Sequence, residues 1–215
     1  MRMDIQLILD NWVKNDLYDE TEDIVVAIMD RLPERTFLPV NSDDLGNAYL
    51  YGDITTESAL KFIEKLDDID ANLPKDASIT VYINSSGGSI VSGFSIYNKI
   101  MEIRRRGRRV LTHVQGEAAS MASVILQAGE VRSMDEFSSL LIHSASSDFG
   151  WDKTYTLRVS LNSLELMQHQ MYRVYAKRTG KSTEYFKDLL KHEDVYLGSS
   201  AALITNLIDR VIPTI

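Results

Sequence analysis

Cysteine is absent from this 215-residue chain. That absence removes disulfides, thiolate metal ligands and a cysteine nucleophile together, and it is compatible with a reducing compartment. No apolar run approaches the ~18 residues that a membrane span needs. The start of the chain lacks the long apolar core of a signal peptide, because Asp10, Lys14 and Asp16 interrupt it early. Cytoplasm is the expected location. Basic residues are in deficit: 23 Lys and Arg stand against 31 Asp and Glu, for a net charge of −8. An acidic balance argues against sequence-independent binding of nucleic acid, which needs a basic face. No His-x-x-x-His or Glu-x-x-His pair is present to hold a metal on one helix face, so neither metal nor cofactor is expected. There is no Gly-x-Ser-x-Gly elbow, no internal repeat and no low-complexity tract.

What is present suits a globular domain. Hydrophobic residues make up 44% of the chain and charged residues 25%, enough to bury a core in one large domain with or without an appendage. Residues 1–45 differ from the rest. A short amphipathic helix is expected around Ile5 to Val13, then an acidic stretch from Asp19 to Asp23, then loop around Pro33, Pro39 and residues 41–44. From residue 46 the pattern becomes regular. Strands are expected over 48–51, 78–84, 110–115, 137–143 and 207–212. Helices are expected over 56–66, with Ala59, Leu60, Ile63 and Leu66 on one face, and over 89–105 and 119–129. This alternation predicts an α/β domain with parallel strand pairing. After a polar loop at 144–152, one long helix is expected over 154–179, closed by Gly180. Its apolar positions are Leu157, Leu161, Leu164, Met167, Met171, Val174 and Tyr175. Ser182 or Thr183 then caps a shorter helix to Lys191, and Ser199 opens a last one.

Three short stretches carry the chemistry. Ser120 stands between a strand and a helix, with Gly87 and Gly88 in a turn upstream and His143 at a strand end downstream. A hydroxyl nucleophile needs a base, an acid to orient that base, and backbone donors for the oxyanion. His143 is the candidate base. Asp194 is the candidate acid, with Glu193 equally suited by chemistry alone. The N–H groups of Gly87 and Met121 are the candidate oxyanion donors, and the missing Cβ atoms of Gly87 and Gly88 permit close approach. Simpler roles exist for each residue. Serine caps are far commoner than serine nucleophiles, a lone histidine at a strand end is usually a hydrogen-bonded edge residue, and a loop aspartate is usually solvated. Local sequence favours those roles. The basic run Arg104 to Arg109 is likewise read as helix C-terminal cations rather than a phosphate site. His113, His169 and His192 are weaker candidates than His143.

Taken in order, the motifs resemble the proteolytic subunit of the Clp protease, a self-compartmentalised serine peptidase. The likeness runs from about Leu50 to Ile212. Tyr82-Ile83-Asn84-Ser85-Ser86-Gly87-Gly88-Ser89 resembles the family's Ile-Asn-Ser-Pro-Gly-Gly turn. Gly116-Glu117-Ala118-Ala119-Ser120-Met121 resembles its Gly-x-Ala-Ala-Ser-Met nucleophile motif, and Leu141-Ile142-His143 its Met-Ile-His. The segment from Asp194 to Leu197, with Leu207-Ile208-Asp209-Arg210, resembles its acid-bearing ending. The resemblance implies Ser120 as nucleophile, His143 as general base, Asp194 as orienting acid, and Gly87 and Met121 as oxyanion donors beside Gly88. It implies the spiral α/β fold of β-β-α units shared with crotonases: a head from residues 46–143 and 180–215, and a protruding strand-helix handle from 144–179. Residues 1–45 become an appendage, a propeptide or a pore-facing segment. It further implies a homo-oligomer of seven-membered rings, stacked as a double ring through the handles, acting on peptides or unfolded proteins without a cofactor.

Several positions depart from the family pattern. Ser86 replaces a proline, Ser144-Ala145 replaces Gln-Pro, Val195 replaces an arginine and Asn206 a glycine, while Glu117 places a carboxylate three residues before Ser120. The first 45 residues lack the usual axial-loop motif, so the resemblance weighs less on an ATP-dependent unfoldase partner than on the triad. Such departures suggest a divergent member, of the kind carried by phages. Two alternatives are a catalytically inactive structural ring subunit and a crotonase-type acyl-CoA enzyme of the same superfold.

Overall fold

The computed structural model describes residues 44–146, 153–191 and 194–214. The expectations for the N-terminal helix and acidic stretch, most of the 144–152 loop, His192 and Glu193 lie outside those residues. A single 3-10 turn, Asp44–Gly46, leads into β1, Asn47–Tyr51. There follow α1, Thr56–Asn72; β2, Ile79–Ser85; α2, Ile90–Arg105; β3, Val110–Ala119; and α3, Met121–Leu126. The second half contains β4, Arg132–Asp135; β5, Ser139–Ile142; α4, Thr154–Thr179; α5, Thr183–Leu189; β6, Val195–Gly198; α6, Ser199–Ile204; and β7, Arg210–Ile212.

The strands form one sheet in the order β1-β2-β3-β4-β7, with β5 branching from β3 and β6 pairing with β5. Every pairing is parallel except β5–β6, so the expected α/β parallel architecture holds. Along β2, Ile79, Val81 and Ile83 form one fully buried face. α1 packs against α2 and starts at a capping box, in which Thr55 accepts from the Ser58 N–H and Ser58 accepts from the Thr55 N–H. Its buried stripe is Ala59, Phe62, Leu66 and Ile69. Leu60, expected on that face, is exposed. The helix also runs one and a half turns past the expected end at Leu66, because its acidic last turns are answered from outside. Asp70 receives Arg106 at 2.9 Å and Arg108. Arg108 also donates to the carbonyls of Asp70, Leu73, Pro74 and Ala77. Arg104 donates to the Ala128 carbonyl. The basic run therefore ties secondary-structure ends together, in line with its simpler reading.

β3 extends to Ala119 because it changes partner. Residues 112–114 pair with β4 and residues 117–119 with β5, while the β2 register slips between Ile83 and Ser85. The expected strand over 137–143 is the shorter β5, while β4 lies outside the expectation, and both run parallel to β3. α4 matches the expected 154–179 and ends on Gly180 in the left-handed conformation. Only Met171, Tyr172, Tyr175 and Thr179 are buried along it. Residues 144–146, the described part of the expected loop, form no strand or helix. Ser182, not Thr183, caps α5. Leu207 and Ile208 are buried ahead of β7 rather than within it. No described helix is long and apolar enough to cross a membrane.

Candidate active site

Ser120 sits where β3 stops and α3 starts. Its backbone takes φ 54 and ψ −122, a region that a non-glycine residue occupies only when its surroundings enforce it. The enforcement is visible on both sides. Upstream, the β3–β5 ladder ends at Ala119 opposite Leu141, and the Ser120 N–H donates to the Leu141 carbonyl at 2.9 Å. Downstream, all six residues of α3 are buried. The Ser120 side chain makes no capping hydrogen bond. Its Oγ lies instead 2.7 Å from His143 Nε2. The cap reading of Ser120, which local sequence favoured, therefore does not describe this hydroxyl.

His143 follows β5 directly, and Asp194 precedes β6. Because β5 and β6 are antiparallel with Ile142 opposite Val195, the residues one step beyond that pair face each other. His143 Nδ1 and Asp194 Oδ1 are 3.8 Å apart. That is ion-pair range but beyond a hydrogen bond, and the Asp194 side chain is 58% exposed. Glu193 lies outside the described residues. β6 is not among the strands the sequence predicts, which leave Asp194 in a loop past a helix end. The available signal was alternation: Val195 and Leu197 are buried, Tyr196 and Gly198 exposed.

The glycine turn closes the other side. Gly87 has φ 95, and a Cβ there would stand 2.7 Å from Ser120 Cβ and 2.9 Å from the Met121 nitrogen. Only a glycine lets this turn touch the Ser120 elbow. The Gly87 N–H donates to Ser85 Oγ at 3.1 Å. Ile54 straps the turn from outside: its N–H donates to the Gly87 carbonyl at 2.7 Å and its carbonyl accepts from Ser89 at 2.8 Å, with Gly88 bridged against it. Met121 begins α3, so its N–H is a first-turn donor with no intrahelical acceptor. Its buried side chain lies over Gly93 of α2, where a Cβ would overlap Met121 Cγ. No hydrogen bond or ion pair joins the Glu117 carboxylate to Ser120 or His143. Its own backbone N–H is held by Asn84 Oδ1.

A second Ser–His–Asp set lies elsewhere in the sheet. His113 Nδ1 is 2.9 Å from Ser133 Oγ, and His113 Nε2 is 3.1 Å from Asp135 Oδ1. A carboxylate only accepts, so the neutral ring carries its proton on Nε2 and Ser133 donates to Nδ1. Burial pushes the His113 pKa down, against the pull of Asp135. The set spans interior strands β3 and β4, whose backbone N–H groups belong to the ladder and leave no donors for an oxyanion. It is a structural cross-tie. Among the described residues, no group of three or more His, Asp or Glu gathers as a metal site.

The fold and the elbow together define an α/β protein with a Ser–His contact beside a glycine turn. The Clp protease family model matches residues 45–214, and the chain belongs to the Clp protease family, a family of peptidases. The match covers β1 through β7, slightly beyond the span over which the motifs showed the resemblance.

Proposed function

We propose that this chain is a serine endopeptidase that hydrolyses peptide bonds in protein substrates through Ser120, His143 and Asp194. The observation that carries the reading is the 2.7 Å contact between Ser120 Oγ and His143 Nε2, made by a serine whose strained backbone serves no capping purpose. In the proposed reaction an extended peptide lies along the Gly87 turn as an added strand. Ser120 Oγ attacks the scissile carbonyl carbon while His143 Nε2 takes its proton. The N–H groups of Met121 and Gly87 stabilise the oxyanion, with Gly87 exchanging its bond to Ser85 Oγ for one to substrate. His143 then protonates the leaving amine. Water, deprotonated by His143, attacks the acyl-enzyme and frees Ser120. Asp194 holds the imidazole with Nδ1 protonated. Its 3.8 Å separation belongs to a resting geometry that tightens on binding, as catalytic hydrogen bonds commonly do.

The assembly reading draws on α4. Tyr155, Val159 and Leu166 are exposed along one side of its first half, an apolar stripe suited to burial against a second copy. We place it at the contact between rings of a self-compartmentalised, cytoplasmic barrel of heptameric rings, with residues 144–179 as the handle. An ATP-dependent unfoldase is the natural supplier of unfolded chains to such a chamber. The second reading, a latent or structural ring subunit, draws on the same Asp194 separation.

Fluorophosphonate labelling of the size-fractionated protein, with the adduct located by mass spectrometry, decides between them. Labelling is expected at Ser120. Ser120→Ala is expected to abolish labelling and peptide turnover while eluting at the same assembly size. An intact assembly that does not label would favour the structural subunit.

A further inference from the structure

The carbonyl of Ser120 is held by one residue twice. Ser123 donates to it from its backbone N–H at 3.1 Å and from its hydroxyl at 2.6 Å. A carbonyl oxygen only accepts, so the single hydroxyl proton of Ser123 is committed there. The Tyr175 hydroxyl lies 2.7 Å from Ser123 Oγ. With the Ser123 proton spent, Tyr175 is the donor of that bond. Proton direction is thereby fixed along the whole chain: Tyr175 O–H to Ser123 Oγ, Ser123 O–H to the Ser120 carbonyl. Both side chains are fully buried, so water does not compete for either bond. The Tyr175 ring is wedged against Phe186 of α5, with centroids 5.4 Å apart, which fixes where its hydroxyl points. Burial pushes the phenol pKa up, so it remains a donor at any working pH.

This relay acts on the peptide that most needs restraint. Ser120 keeps φ 54 and ψ −122. Rotation of ψ toward an ordinary value swings the Ser120 carbonyl and moves Oγ with respect to His143. Hydrogen bonds in series polarise one another and resist such rotation more than a single bond does. Packing alone does not require a hydroxyl at residue 175, since a phenyl ring fills the same space. We propose that Tyr175 is a positioning residue: through Ser123 it locks the Ser120 carbonyl, and with it the aim of Ser120 Oγ at His143 Nε2. The proposal rests on the peptidase reading given above for its catalytic meaning.

The test compares wild type, Tyr175→Phe, Ser123→Ala and the double variant in the full-length protein. Three quantities are read: kcat and KM for a fluorogenic peptide, the rate of fluorophosphonate labelling at Ser120, and the His143 ring resonance by NMR with labelled histidine, with Ser120→Ala as reference. Tyr175→Phe is expected to lower kcat and the labelling rate about tenfold, the loss of one buried hydrogen bond, with KM unchanged. Its His143 resonance is expected to move toward that of Ser120→Ala. Ser123→Ala, which cuts the relay from the other end should Tyr175→Phe fold poorly, is expected to match it, and the double variant to be no worse than Ser123→Ala alone. Wild-type labelling with an unchanged rate and unchanged His143 resonance in both variants overturns the proposal. Absence of labelling in wild type overturns the peptidase reading instead, and the resonance still decides the positioning role: a shift in the variants supports it, no shift overturns it.

Discussion

Asp194 stands within Coulombic reach of His143 Nδ1 but makes no hydrogen bond to it, at 3.8 Å and with 58% of its side chain exposed. Substitution by asparagine keeps the shape and removes the charge that, in the proposed mechanism, fixes the imidazole tautomer. Asp194→Asn is expected to lower kcat on the order of 10²- to 10⁴-fold, with assembly size unchanged, as steady-state peptide hydrolysis and gel filtration would record. A loss of less than twofold would remove Asp194 from the mechanism. At this scale the sequence was partly legible. Strand ends and a small-residue turn made Ser120 and His143 candidates, but only the ordered family motifs set them above a helix cap and an edge histidine. Ser123 and Tyr175 could not be picked out, because they are 52 residues apart and each fits a plainer description: a small residue in a short helix and one apolar position among seven on a long one. Only the tertiary contact gives the tyrosine its hydroxyl's purpose.

Elements hold the site through a few close approaches. α3 is only six residues long and depends on its neighbours for position. One of them is α2, where Gly93 leaves the space that the Met121 side chain fills. Gly93→Ala forces Met121 aside. The cost is about 1–3 kcal/mol of stability, typical of overpacking a core, and Met121 carries the amide next to Ser120. The expected outcome is a lower denaturant midpoint together with slower labelling at Ser120 under conditions where the variant is fully folded. An unchanged midpoint would mean that α2 and α3 separate freely. Parallel pairing was readable from the alternation of strands and helices. The antiparallel return of β6 was not: four residues give little periodicity, and the strand's role depends on β5, far away in sequence. The extension of α1 was hidden for a related reason, since Asp67, Asp68 and Asp70 look like a solvated end until Lys99 of α2 is brought against Asp67, and Arg106 and Arg108 against Asp70.

For the molecule as a whole, Asp209 ties the approach to the last strand, β7, back to the start of β4. It accepts from the Arg132 backbone N–H at 2.8 Å, from Arg132 Nε at 3.0 Å and from its Nη2 at 2.8 Å. Arg132 continues to Gln127 Oε1 at 2.6 Å, and Gln127 reaches the Leu207 carbonyl. Burial raises the Asp209 pKa, but the Arg132 hydrogen bonds and charge outweigh it and hold the carboxyl below its ordinary value. A carboxyl with a folded pKa below its unfolded one contributes fully above the unfolded value, about 3.9. That contribution is lost as pH falls through the folded value. Asp209→Asn is therefore expected to lower stability at pH 7 by about 3 kcal/mol, as when a buried ion pair loses one partner. It is also expected to flatten the fall in melting temperature between about pH 5 and pH 2. Thermal melts across that range give both quantities, and parallel curves for variant and wild type would refute the linkage. The sequence showed Asp209 as part of a motif but not as this tie, because its partner Arg132 lies 77 residues away.

The return of β6 onto β5 also imposes an order in time. A ribosome delivers a chain from its N-terminus, so β3 and β5, bearing Ser120 and His143, are made before the 26-residue α4 and before the strand that carries Asp194 to them. Under the proposed mechanism, the growing polypeptide holds a serine and a histidine without their acid. Its hydrolytic power arrives only when β6 zips into place, and until then nascent chains nearby are spared.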